Sequence, residues 1–151
     1  MVALNVIGID ATCVEISLLN PNHFLVFRRA KKYTIHSRLS CDSKNATYLA
    51  SCKKNRLQYV ESTTTDFRIR FRNHTSAMLT NKTTCEVAIP FNKIPHTLDD
   101  FSFQCINQVQ TPNNSEEIDK LLITKEAYWS AQLFALAPHG LNKKKGNSFG
   151  K

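Results

Sequence analysis

No stretch of this chain approaches the ~20 consecutive apolar residues of a bilayer-crossing helix, so no membrane-spanning helix and a soluble protein are expected. The N-terminus, MVALNVIGIDATCVEISLLN, is apolar but lacks a basic start. Asp10 and Glu15 interrupt it and no small-residue cleavage site follows, so it does not read as a secretion signal. Cys13, Cys41, Cys52, Cys85 and Cys105 are odd in number and scattered, and they form neither a disulfide framework nor a complete CxxC pair. There is no internal repeat. Acidic residues are in deficit, with 12 Asp and Glu against 20 Lys and Arg and a formal charge of +8. That balance favours polyanionic partners, nucleic acid ahead of an anionic membrane.

What the chain does have is a core. Hydrophobic residues make up 42% of its 151 positions, too many for a disordered chain and enough for one domain. Residues 1–32 read as an N-terminal extension closed by the basic run FRRAKK, residues 33–142 as the domain, and residues 143–151 as a flexible basic tail. Within the domain, YTIHSRLS (Tyr33 to Ser40) is a possible short strand. ATYLAS and LQYV form a hairpin, CEVAI (Cys85 to Ile89) is a third candidate strand ended by Pro90, and FSFQCINQV (Phe101 to Val109) alternates. That alternation puts Phe101, Phe103, Cys105 and Val109 on one face. A helix is expected from about Asp66 to Leu79, with Phe67, Phe71, His74 and Met78 at helical spacing and Thr65 or Asp66 as cap. A second runs from about Glu116 to Ala137, capped by Ser115 and stopped by Pro138 and Gly140. The class is α+β: a small antiparallel sheet of about three strands flanked by helices.

With Lys53-Lys54 as the loop centre, antiparallel pairing sets Ala50 opposite Leu57 and Tyr48 opposite Tyr59, their Cβ atoms ~5 Å apart. Such a pair is an ordinary feature of sheets. The following helix carries Arg68, Arg70 and Arg72. Arg68 and Arg72 share a solvated face, whereas Arg70 lies nearer the sheet. A guanidinium donates two parallel hydrogen bonds to a phosphate, so two phenols and Arg70 could bind a phosphodiester. Hydrolysing it also needs a metal ligand, usually a carboxylate.

The segment ATYLASCKKNRLQYVESTTTDFRIRFRNH resembles the GIY-YIG endonuclease domain, in the form attached to Penelope-like retroelements. The match runs without a gap from Cys41 to His74, and a second block, KEAYWSAQLFALAPHGLN, matches from Lys125 to Asn142. Together they frame a resemblance from roughly Tyr33 to Asn142. It implies a compact sheet flanked by helices that cuts DNA, by nicking, with one divalent metal, Mg2+ or Mn2+. By matched position Tyr48 and Tyr59 are the two motif tyrosines, Arg70 the helix arginine, His74 the histidine one turn on, Glu126 the metal-binding glutamate and Asn142 the closing asparagine. On this resemblance Tyr48 helps to deprotonate or orient the attacking water. A free phenol titrates near ~10, so a base role requires the metal and Arg70 to lower it. A DNA substrate implies an intracellular, nuclear setting.

The chain departs from the family pattern at several places. Ala46-Thr47-Tyr48 stands for Gly-Ile-Tyr, and Tyr59-Val60-Glu61 puts a glutamate where glycine is expected. Asn55 replaces a cysteine and Pro90 a histidine, while His96 matches a family histidine. Cys41 and Cys52 fall short of the four ligands of a structural zinc site. Glu61 brings bulk and negative charge beside a site meant for a polyanion. Read without the family, Glu126 is an exposed helix residue and His74 a core histidine. Two other functions therefore stay open. One is a nucleic-acid-binding remnant that does not cut. The other is a secreted glycosylated binding domain using the sequons at Asn45, Asn73, Asn81 and Asn113. No reverse-transcriptase region accompanies the domain, so a stand-alone or truncated piece is expected.

Overall fold

A computed structural model describes residues 23–26, 31–34, 39–93, 96–110 and 114–143. In chain order the elements are strands β1 (His23–Val26), β2 (Lys31–Thr34), β3 (Ala46–Cys52) and β4 (Gln58–Thr63), helices α1 (Phe67–Leu79) and α2 (Ala88–Lys93), strand β5 (Phe101–Gln108) and helix α3 (Ser115–Gln132). Strands β4, β3 and β5 form an antiparallel sheet in that order, with β3 at its centre. β1 and β2 pair separately as a hairpin that straddles the expected domain start at residue 33. The Tyr33 ring meets Trp129 edge-on at 5.3 Å, which ties this hairpin to α3.

All seven residues of β3 are buried, because both faces of the sheet are covered. Alternation along β3 sends Tyr48, Ala50 and Cys52 to one side, where Phe67, Phe71, Met78, Val87 and Phe103 complete the larger core. It sends Leu49 to the other, where Val60, Ile106, Leu133 and Ala135 gather beside Trp129. Each fully buried large apolar side chain contributes about 1.5–3 kcal/mol, so the larger cluster, between the sheet and α1, dominates. In α1 the buried residues Phe67, Phe71, His74 and Met78 recur as the sequence periodicity predicts.

Four local expectations are corrected. The β3–β4 pairing sets Tyr48 opposite Glu61 and Ala50 opposite Tyr59, two residues away from the expected register. The cause is a loop centred one residue later, on Lys54-Asn55: Arg56 adopts φ 59° and its N–H bonds the Cys52 carbonyl at 2.9 Å, so residues 53–56 form the connection. A shift by an even number preserves faces, so both tyrosines still point to the same side. Cys85–Ile89 is not a strand. It turns into α2, where Pro90 lies in the first helical turn and needs no N–H partner. In β5 the pairing slips between Thr47 and Tyr48, leaving Ile106 as the extra residue. That bulge breaks the alternation before Val109, which does not join the face of Phe101, Phe103 and Cys105. Finally, α3 ends at Gln132, with Asn114 rather than Ser115 as its cap. The Asn114 side chain accepts the Glu116 N–H at 3.0 Å.

After α3 the chain turns through Phe134, at φ 53°, and runs back along the outer edge of β4. Gly140 permits the turn, since a Cβ there would lie 2.3 Å from the Ala135 carbonyl oxygen. The Leu141 N–H donates to the Gln58 carbonyl at 3.0 Å, and the Asn142 amide continues the edge as a neighbouring strand would.

Candidate active site

The two-residue register shift decides the chemistry of the site, because it seats Glu61 directly across from Tyr48. The Glu61 carboxylate accepts hydrogen bonds from the Tyr48 hydroxyl and from Arg70 Nη2. Arg70 Nε also donates to the Tyr48 oxygen at 3.4 Å. His74 Nε2 completes the group, 2.6 Å from the Tyr48 oxygen and 3.4 Å from Glu61. Arg70 reaches this point because α1 turns it inward, away from the outer face where Arg68 pairs with Asp42 at 3.0 Å and Arg72 is exposed.

Each titration follows from this packing. Burial disfavours the charged form of Glu61. Hydrogen bonds from His74, Tyr48 and Arg70 outweigh it and hold the carboxyl at about 2 against an ordinary 4.5. Tyr48 is pushed well above the usual phenol value, by burial first and by the Glu61 charge second. Tyr59 is pushed up in the same way, by burial and then by Glu61, Glu86 and Glu126. Both phenols are therefore held protonated in this packing, and Tyr48 donates to Glu61. His74 is raised above its ordinary value: burial works against its charge, but Cys85 and Glu61 prevail.

The depressed Glu61 carboxyl makes a prediction about stability. Its contribution is fully present above pH ~4.5, the unfolded value, and is lost as pH falls toward 2. The side chain is only 26% exposed, so the contribution is on the order of 3 kcal/mol. Denaturant titrations are expected to show wild type losing more stability than Glu61→Gln between pH 5 and about 2.5. Parallel losses in the two proteins would contradict the pairing.

Glu126 arrives from α3, which packs on the opposite face of the sheet, and meets Glu61 across the edge of β4. Its carboxylate accepts the Ser62 N–H at 3.1 Å, next to Glu61 on β4. The Ser62 hydroxyl in turn donates to the Leu122 carbonyl of α3 at 3.2 Å, fixing helix to strand. Two adjoining clefts share Glu61, Ser62 and Glu126. One, of about 280 Å³, is completed by Tyr59, Glu86, Asn142 and Lys143. The other, of about 470 Å³, adds Arg70 and the hydroxyl-bearing run Thr63, Thr64 and Thr65. No group of three or more His, Cys, Asp or Glu side chains able to hold a metal occurs among the described residues.

The structure thus gathers Tyr48, Arg70 and His74 around Glu61, and sets Tyr59 and Glu126 on the adjoining cleft. Asn142 lies at the rim, with its amide already engaged. Its Oδ1 accepts the Val60 N–H at 2.8 Å and its Nδ2 donates to the Val60 carbonyl at 2.6 Å, all of it buried. Asn142→Ala strands both Val60 groups at ~1–3 kcal/mol each, so a loss of roughly 2–5 kcal/mol is expected by chemical denaturation. An unchanged midpoint would refute that positioning role. Ser62, Glu86 and Lys143 were not anticipated from the sequence. Glu86 and Lys143 form an ion pair at 3.5 Å across 57 residues of chain, and no local pattern announces it.

This three-stranded sheet with its helices is a GIY-YIG-like α+β fold. It is similar to the solved catalytic domain of homing endonuclease I-TevI, with a TM-score of 0.50 and 20% identity over 66% of this chain and 97% of that one. No protein-family model matches the chain, and no curated protein matches it significantly. Among the described residues, no helix is long and apolar enough to cross a membrane.

Proposed function

We propose that this chain is a metal-dependent DNA endonuclease domain whose phosphate-binding donors are held by its own Glu61. The observation that carries the reading is the convergence of Tyr48, Arg70 and His74 on one carboxylate, beside a cleft that also takes Glu126. A carboxylate is a planar oxyanion and calls on the donors that a phosphate oxygen would. With a DNA strand in the cleft, Arg70 offsets charge that grows on the phosphate and the two protonated tyrosines donate to its oxygens. His74 holds the Tyr48 hydroxyl in place. Asn142 acts as a positioning residue, fixing β4 at Val60 between Tyr59 and Glu61.

The Glu126 carboxylate offers oxygen, the donor a hard cation prefers, and Mg2+ or Mn2+ takes one or two carboxylates and fills its remaining positions with water and phosphate. Glu126 would hold it, and the ion would supply charge neutralisation at the phosphate. Attribution to the retroelement branch rests on the two sequence blocks, Cys41 to His74 and Lys125 to Asn142.

The Glu61 ion pair also favours a second reading, a DNA-binding piece that no longer cuts. Incubating the purified protein with supercoiled plasmid and Mg2+ or Mn2+ separates the two. Metal-dependent nicked circles support the enzyme. DNA binding without nicking, in wild type and Glu61→Gly alike, leaves the binding piece.

A further inference from the structure

Because the two adjoining clefts share Glu61, Ser62 and Glu126, they form one continuous trough. Two cationic side chains line it, one in each cleft: Arg70 in the larger and Lys143 in the smaller. Each rests on a glutamate. Arg70 is held by Glu61, and Lys143 Nζ lies 3.5 Å from a Glu86 carboxylate oxygen. The two pairs differ in grip. The Arg70 and Glu61 side chains are 30% and 26% exposed, and Glu61 also takes Tyr48 and His74. The Lys143 side chain is 77% exposed. So open a pair holds weakly, because water screens it and the four-carbon stem gives up rotamer freedom to make it. Lys143 can exchange Glu86 for another anion at little cost. Its root, by contrast, is firm. Asn142 beside it is bonded to both backbone groups of Val60, and the Leu141 N–H to the Gln58 carbonyl. The stem therefore starts from a fixed point on the cleft that also holds Tyr59 and Glu126.

We propose that Lys143 is a second phosphate-binding residue of the trough, parked on Glu86 until a DNA strand runs from Arg70 past Glu126 to reach it. The ligand rests on the nuclease reading; the role of Lys143 rests on its place in the trough. Every nucleotide of a strand brings one negative charge, so cations in adjoining clefts suit successive phosphates. They would divide the work. The planar fork of Arg70 orients one phosphate, whereas an ammonium takes the next as a point charge with three donors and no fixed plane. Glu86 competes with the strand for Lys143 and so sets how readily that end of the trough binds.

The test is fluorescence anisotropy of a short fluorescein-labelled DNA duplex, with Ca2+ in place of Mg2+, over about 50 to 200 mM salt. Lys143→Gln is expected to weaken binding about three- to tenfold at the low end of that range. It is also expected to reduce the slope of log affinity against log salt by about 0.9, the equivalent of one phosphate contact. Lys53→Gln removes the same charge from the β3–β4 loop, at the other end of those strands from Glu61, and is expected to leave the slope unchanged. Glu86→Gln is expected to raise affinity about threefold, and most of that rise to disappear when Lys143→Gln is added. Equal salt slopes in wild type and Lys143→Gln, or an equal rise from Glu86→Gln with and without Lys143, would overturn the assignment and leave DNA binding by the domain standing. A wild-type chain that does not bind the duplex would overturn both.

Discussion

Glu61→Gly is expected to raise DNA nicking, or DNA affinity where cleavage is slow, by about one to two orders of magnitude. In the wild-type chain the carboxylate is the partner of the Tyr48 hydroxyl and the Arg70 guanidinium, with His74 Nε2 beside it. A DNA phosphate must displace it to reach those donors and meets its charge in doing so. Removing it frees three donors, takes away one like charge from the cleft, and deletes the second-largest cause of the raised Tyr48 phenol. The same change costs stability, since Arg70 loses its partner and glycine weakens a strand interior by about 0.5–1 kcal/mol. Activity and thermal midpoint should therefore move in opposite directions. Glu61→Gln keeps bulk but not charge and is expected to fall between. Plasmid nicking and fluorescence anisotropy with labelled DNA measure both effects, and no change in either would remove Glu61 from the account.

The second large effect is loss of function. In the Glu61→Gly background, Glu126→Gln is expected to lower nicking by about 10²–10³-fold while DNA affinity changes by no more than about twofold. Glutamine is chosen because its amide oxygen still accepts the Ser62 N–H, the bond that Glu126 makes to β4 at 3.1 Å. Fold and helix docking then persist and only the charge is withdrawn. A nicking rate within threefold of the parent, across Mg2+ and Mn2+ concentrations, would show that the cleft works without this carboxylate.

Much of this geometry could be read from residue spacing. Phe67, Phe71, His74 and Met78 declare the buried side of α1, and Arg70 falls inward by the same periodicity. The shared face of Tyr48 and Tyr59 survives an error in their register because the error is even. The partner of Tyr48 does not survive it. It depends on a loop whose left-handed residue is Arg56, where no glycine or Asn-Gly signal marks the turn. Cys85–Ile89 misleads for another reason: a short apolar run before proline suits a strand end or a helix start equally, and only packing against the core chooses. The joining of Cys85 to His74, and of Asn142 to Val60, is purely tertiary.

The carboxylate of Glu61 is a lone occupant: backbone, helix docking and the other donors already stand where an open cleft would require them. Either glutamate codon becomes a glycine codon by a single base change at its second position. If Glu61 blocks the phosphate site as proposed, inheritance can lift that block in one step, which would make it a lightly held condition rather than the end of a lineage.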